Sequence, residues 1–469
     1  MDGAERGLPD RVWLAVLLLF AAFVGVAAYI RLASMQADPD MFWHVETGRW
    51  IAAHGEIPRT DVFSWYGQAR HAAWTAHEWL FGLLAYGLVA GGGYALLYAA
   101  VGALDGALFL LAYALAFVRS HRRALSLAVG ALVVLGTYPG LAPRPQTITF
   151  CLVLAIALLG ETGRLWWSLP LVALGANLHG GAYPILLLAV AFYALPSQPL
   201  VLAGAAGAVL LNPLGPVLLP YALGVVGPNA GAITEFRRTA LLSQPLYLAT
   251  LLGALVLLWG RRIKRKDALL ALALFLLSLA AVRMVPFFYV LAVPILAAYV
   301  PRRRTSPEAA RDEQPRLERV NALDWAPAGV LAVLIALASA AAAARPLDVT
   351  AGYPAAAAEY VKAQGLDRVW NVWQDGGFLI SAGVPPMVDG RADPFMAANN
   401  RGVDMAADYF RALYLEEDPA AFLARTGVRH LIVPKGLPFY RALVRNPALT
   451  VLYEDDEYAV MRFDATRDR

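Results

Sequence analysis

The chain has 469 residues, 59% of them hydrophobic and 16% charged, with a mean hydropathy of +0.54. Soluble chains carry about a quarter charged residues, so an ordinary soluble globular protein is excluded. The net charge of +4 and pI near 9.1 do not argue for nucleic acid, because the basic residues cluster in short loops between apolar runs.

A helical span needs about 20 apolar residues, and roughly eleven such runs can be counted along the chain. The first is residues 12–33. Its apolar part lacks a small-residue cleavage site before the acidic segment that follows, so it reads as a retained span and not a signal peptide. Residues 34–93 then form a long loop. Between 37 and 80 it holds four of the seven histidines, together with Asp38, Asp40, Glu46, Arg49, Asp61 and Glu78. Trp43, Trp50, Trp65 and Trp74 are interleaved with them. Such a segment cannot lie in lipid and belongs at a membrane face, where it is expected to roof a site. Residues 78–89 predict a short apolar helix ending at Gly91-Gly92-Gly93, re-entrant or interfacial because it is too short to span.

Further spans are expected at 94–118, 125–141, 147–159, 167–176, 183–195, 200–211, 247–259, 269–281, 286–300 and 326–344. Cys151, the single cysteine, falls inside one of them, which excludes disulfides and cysteine-rich metal sites. RSHRR, ETGR, RRIKRK and PRRR fall on one side with the N-terminus, marking that side as cytoplasmic. Residues 302–321, charged and proline-punctuated, read as a cytoplasmic linker. The other side receives the long loop and the ionisable groups at span ends: Arg144, His179, Glu235, Arg237, Arg238 and Arg283. The composition changes after residue 345. Residues 1–345 are therefore expected as a transmembrane module, and 346–469 as a small extracytoplasmic α/β domain. In that domain RVWNVW, PPMVDGR, RHLIVPK, LTVLYED and YAVMRF read as strands, with helices near 404–413 and 418–426. DGG and VDGRAD are turn signals and too weak to hold a nucleotide.

Asp38-Pro39 has the form of a helix start, with Asp as the cap and Pro in the first turn. Asp40 then lies where the helix dipole favours a carboxylate, and His44, four residues on, shares its face. Trp43, Trp50 and Ile51 share another face, as in a helix lying on a membrane surface. Asp40 is thus the first catalytic candidate and Asp38 the second. His44, His77 and Glu78 are candidate substrate contacts. Their spacing is not that of a zinc motif, so a divalent metal is not favoured and no cofactor is assigned. Asp61 either shapes a turn or faces substrate. Arg144 and Arg283, flanked by apolar residues, are either ion-paired with Glu235 or a loop acid, or bind a phosphate. Asn177 and His179 either cap a helix or touch substrate, and Arg237 and Arg238 either belong to the site or form a solvated pair.

The stretch DPDMFWHVETGRWIAAHGEIPRTDVFSW, followed by HEWL, resembles the first outer loop of bacterial membrane proteins of the GT-C glycosyltransferase type. ANLHGG, LNPLGP, R-x-VPFF, NVWQDGGFLI, VDGRADPF and HLIVPK recur in the same order in that group. The resemblance implies a first span, an outer loop with surface-lying helices and an acidic residue, here Asp40 or Asp38. It also implies a polyprenyl-phosphate sugar donor and a glycan, lipid or protein acceptor at the outer face of the bacterial cytoplasmic membrane. The expected reaction inverts the anomeric centre, with one carboxylate as general base. A lipid or lipid-linked-glycan flippase is the alternative; it is disfavoured by the absence of an evident repeat between the two halves. A non-catalytic scaffold subunit is the second alternative. Membrane lipids are expected around the chain, and no nucleic acid.

Overall fold

A computed structural model of the chain describes residues 9–224, 237–301, 322–343 and 347–464. Helix α1, Asp10–Ser34, is apolar along its length, and Asp38 caps α2, Pro39–His54, through the amide of Asp40 (3.0 Å). A short α3, Trp65–Arg70, is capped by Ser64. Helix α4, Trp79–Ser120, merges what the sequence divides into a short apolar helix and a span. The glycines do not end it. They bend it, Gly93 taking φ +68° and ψ −173°, a conformation open to glycine alone.

Helices α5 (Arg123–Thr137) and α6 (Gln146–Glu161) form a hairpin whose turn carries Arg144. Helices α7 (Ser168–Leu178) and α8 (Tyr183–Ala194) turn at His179. They are followed by α9 (Pro199–Ala208), α10 (Leu218–Gly224), α11 (Pro245–Leu258) and α12 (Arg265–Ala280). Among the described residues five helical stretches are long and apolar enough to cross a membrane: Asp10–Ser34, Trp79–Ser120, Arg123–Gly140, Val282–Tyr299 and Ala326–Ala343. Five more apolar helices have 10–17 residues. The main core gathers around α4, α6 and α8, with Leu108, Ala112, Val153, Ile156, Val190 and Tyr289 shielded. In lipid the gain from such contacts is close packing and not dehydration.

The C-terminal segment builds a four-stranded sheet in the order β1-β2-β4-β3. Strand β1 (Val369–Trp370) runs parallel to β2 (His430–Pro434). Strand β4 (Tyr458–Phe463) lies antiparallel to both β2 and β3 (Leu449–Glu454), with an irregularity in register between Val451 and Tyr453. Helices Met405–Leu413 and Pro419–Thr426 form where expected, capped by Asp404 and Asp418. PPMVDGR, expected as a strand, makes only one bridge, Pro386 to Val369. Its backbone is held by a side chain instead: Asn371 donates to Val388 O (2.9 Å) and accepts from Met387 N (2.7 Å).

This segment is packed into the rest of the chain. One core cluster joins Ala28, Met41, Phe42 and Phe81 to Tyr353, Phe378 and Val460. Phe42 meets Tyr353 and Phe378 edge-on, and the Tyr353 hydroxyl donates to Ala37 O (2.6 Å). Helix α2 is therefore enclosed between α4 and helix Gly376–Ser381, with residues 41–48 all buried. The expected surface-lying helix anchored by Trp43 is corrected accordingly: Trp43 and Ile51 are buried, and of the three only Trp50, stacked on His54, is half-buried.

Candidate functional site

The first turn of α2 presents two carboxylates to one guanidinium. Arg144 grips Asp38 with Nε and Nη2, both at 2.8 Å, and reaches Asp40 Oδ2 with Nη1 at 3.0 Å. The indole of Trp43 donates to Asp40 Oδ1 (3.0 Å). The planar fork of arginine suits this three-way arrangement, and the helix dipole favours negative charge at the same point. Asp38 thus both caps α2 and pairs with Arg144. Asp40, which the sequence leaves open to a cavity, holds contacts on both oxygens.

The second group centres on Glu78, just before α4. Its carboxylate oxygens lie 3.6 Å from His44 Nε2, 3.6 Å from His77 Nε2 and 3.5 Å from His179 Nε2. These separations exceed a hydrogen bond. They are not ion pairs either, because burial favours the neutral form of every member. Burial pushes the Glu78 carboxyl up to about 8; the Asp40 carboxylate adds to this, Arg144 and Arg283 oppose it, and Asp393 adds a smaller push. Burial lowers His77 to about 4, against the pull of the Thr75 carbonyl and helped by Arg283. His44 and His179 are held well below the usual imidazole range, first by burial and then by charge: Arg144 and the other two histidines for His44, His77 and Arg283 for His179. His179 Nδ1 is tied to Thr149 Oγ1 (2.8 Å), whereas His44 Nδ1 is buried without a hydrogen-bond partner. Among the described residues no three His, Cys, Asp or Glu side chains converge on a point that would hold a metal ion.

The C-terminal segment closes over both groups. A Cβ on Gly377 would strike Pro39 O, so only glycine allows that backbone approach, and one on Gly390 would strike Asp40 Oδ1, so the carboxylate keeps its present place only against a glycine. Asp61 is placed away from any opening. Its carboxylate accepts from the amides of Phe63 (2.9 Å) and Ser64 (3.2 Å) and pairs with Arg391 at 2.8 Å, both side chains being fully buried. Arg391 also pairs with Asp389 (2.6 Å) and lies over the rings of Phe63 and Trp74. Two residues on, Asp393 accepts from the Tyr221 hydroxyl (3.2 Å). Burial raises the Asp393 carboxyl to about 7, against Tyr221, the Thr75 backbone and Arg391. Trp43, Trp74, Trp79, His77, Glu78, Tyr221, Arg391 and Asp393 enclose a narrow pocket between the long loop and this segment.

Of the other expected site residues, Asn177 is committed to structure: its amide donates to Ala173 O and Leu211 O (both 2.8 Å) and accepts from the Trp79 indole (3.2 Å). Arg283 acts on His77, Glu78, His179 and Tyr221. Arg237 and Arg238 are exposed, Arg237 accepting from the Val282 amide through its carbonyl. Glu235 lies outside the described residues. Sequence reasoning missed Tyr221, Arg391 and Asp393. VDGRADPF carried the signal for the last two, because an Asp-Gly-Arg-x-Asp run puts three ionisable groups on one tight turn.

No family model matches this chain, and no curated protein does. Solved structures do match. One is the single-particle cryo-EM structure of a mutant of the arabinofuranosyltransferase AftD from Mycobacteria, at 16% identity and a TM-score of 0.50. The match covers 98% of this chain and 42% of that one, so this chain spans less than half the length of that protein. At such identity the likeness is one of fold: almost the whole chain follows a path also found in a glycosyltransferase.

Proposed function

We propose that the chain is a membrane glycosyltransferase that moves a sugar from a polyprenyl-phosphate donor to an acceptor hydroxyl. The observation that carries this reading is the shared grip of Arg144 on Asp38 and Asp40 at the start of α2, beside a buried carboxylate pocket. The fold shared with a glycosyltransferase supports it.

In this mechanism Asp40 is the general base. It takes the acceptor's hydroxyl proton while that oxygen attacks the anomeric carbon, and the bond from that carbon to the phosphate oxygen breaks. The electron pair leaves on the phosphate, which needs no acid because it departs as an anion. Arg144 and Arg283 hold its charge. Arg144 serves twice: turning toward the phosphate releases the Asp40 oxygen that must receive the proton. One base and an attack opposite the leaving group give inversion. We place the site at the outer face of a bacterial cytoplasmic membrane, with the N-terminus inside and residues 346–469 outside as a domain over the site.

Lipid transport keeps one observation in its favour. A groove lined by Gly25, Tyr29, Ala103, Gly106 and Ala343 runs between α1, α4 and helix Ala326–Ala343, where a lipid chain could lie without reacting. One substitution and one wild-type measurement separate the two readings. Asp40→Asn, in nanodiscs with pentosyl- and hexosyl-phosphate polyprenols, is expected to cut transfer by about 10²–10⁴-fold while carrier binding persists. Transfer at the wild-type rate would remove Asp40 as the base. Lipid flux without product in the wild-type protein would favour transport.

A further inference from the structure

We propose that Asp393, delivered by the C-terminal segment, is a contact for the donor's sugar: its Oδ2 accepts a hydrogen bond from a sugar hydroxyl entering the tryptophan-walled pocket. This rests on the sugar-transfer reading and adds the place where the sugar is held.

The geometry begins with an unmet acceptor. Asp393 is 4% exposed, and Tyr221 holds Oδ1, yet Oδ2 is buried with no hydrogen-bond partner. The Thr75 backbone favours the charged carboxylate without giving Oδ2 a hydrogen-bond partner. Buried polar atoms are rarely left so, and a group that donates is the natural occupant. The walls match a sugar. Trp43, Trp74 and Trp79 offer apolar faces for C–H groups, and Glu78, Tyr221 and Asp393 offer polar ends for hydroxyls. The pocket as it stands admits a group about the size of one water molecule. A single hydroxyl-bearing arm therefore enters while the ring remains at the mouth.

Its position singles out the donor. The ring of Trp43 lines this pocket, while its indole nitrogen donates to Asp40. Arg144 and Arg283 both act on Glu78 in the pocket wall. A phosphate held by these guanidiniums would lie near Glu78, which shares the pocket lining with Asp393, so its attached sugar would have Asp393 within the same pocket.

The test uses the full chain in nanodiscs, titrated with bare polyprenyl phosphate and with the same carrier bearing a pentose or a hexose, followed by tryptophan fluorescence. The wild-type protein should bind one sugar-bearing carrier about 10–100-fold more tightly than the bare one, the worth of one hydrogen bond to a charged group. Asp393→Asn should abolish that preference and leave the bare carrier's affinity unchanged. A preference that survives in Asp393→Asn overturns the proposal, as does a wild-type protein that never distinguishes the carriers; both leave the transfer reading standing. A wild-type protein that binds no carrier removes both. Should Asp393→Asn shift thermal unfolding, the titration is repeated with Asp393→Glu, which keeps the charge but displaces Oδ2 from its place beside Tyr221. A preference undiminished in that variant too is equally fatal.

Discussion

Gly390 lies against the carboxylate of Asp40: a Cβ at position 390 would meet Oδ1 and come within 3.3 Å of Trp43 Nε1. The C-terminal segment therefore forms one wall of the candidate site, and the positions of Asp40 and Trp43 depend on a missing side chain 350 residues away in the chain (390 minus 40). Gly390→Ala is expected to push these elements apart. Overpacking of this kind costs about 1–3 kcal/mol, and if Asp40 is the base proposed above, catalysis should suffer more than stability. Thermal unfolding and transfer rate measured together check this; full activity in the variant contradicts the role given to Asp40.

Arg144→Lys separates charge from shape. A lysine keeps the positive charge but cannot hold Asp38 with two nitrogens and Asp40 with a third. Donor affinity is expected to fall by about 10-fold or more, in line with the loss of one charge-assisted hydrogen bond. Arg144→Ala, which leaves two largely buried carboxylates without their shared partner, should also lower stability by about 3–5 kcal/mol. Carrier titration and thermal unfolding of both variants supply the comparison.

The buried carboxyl of Glu78 gives stability a sign. Its level near 8 lies above the ordinary 4.5, so the folded chain holds a proton that the unfolded chain releases. The associated stability is complete below pH 4.5 and is lost as pH rises through 8. Asp393, raised to about 7, acts in the same direction but is spent earlier. His77, lowered to about 4, acts oppositely and only between about 4 and 6.5. Stability, and the melting temperature with it, should therefore fall between pH 7 and 8.5, Glu78 alone contributing a slope of at most about 1.4 kcal/mol per pH unit. Glu78→Gln should flatten that slope, and an unchanged slope would contradict the assignment.

Much of this layout can be read from residue order, and the unread part has a physical cause. Asp38-Pro39 announces a capped helix because capping is local, and α2 begins there. The helices at Met405–Leu413 and Pro419–Thr426 are legible for the same reason. The fate of Trp43 is not legible. Its helical spacing fits a lipid-facing stripe or a core, and only the C-terminal segment folding back over α2 decides between them. Gly91-Gly92-Gly93 misleads in a similar way: glycines that end a helix in water here bend one that packing carries onward. The gathering of His44, His77 and His179 about Glu78 was within reach, since all lie on one predicted face. That the histidines stay neutral depends on burial, which residue order does not show.

The fully buried set Asp61, Arg391 and Asp389 should govern how firmly the C-terminal segment sits on the long loop. Arg391 bridges the two acids at 2.8 and 2.6 Å and is sandwiched against Phe63 and Trp74. Removing it leaves two buried carboxylates facing each other, at a cost of about 3–5 kcal/mol. Arg391→Met is expected to raise hydrogen exchange at residues 59–74 and to speed proteolytic release of the C-terminal segment, with transfer lost in parallel. Asp61→Asn removes one of the stranded charges, so combining it with Arg391→Met should recover part of the loss. A double-mutant cycle then gives a coupling energy of about 1–3 kcal/mol if the two act as one unit. Strictly additive effects would mean that the segment is held by its apolar contacts alone, and that Gly390 keeps its place against Asp40, and Asp393 its place by Tyr221, without this ion pair.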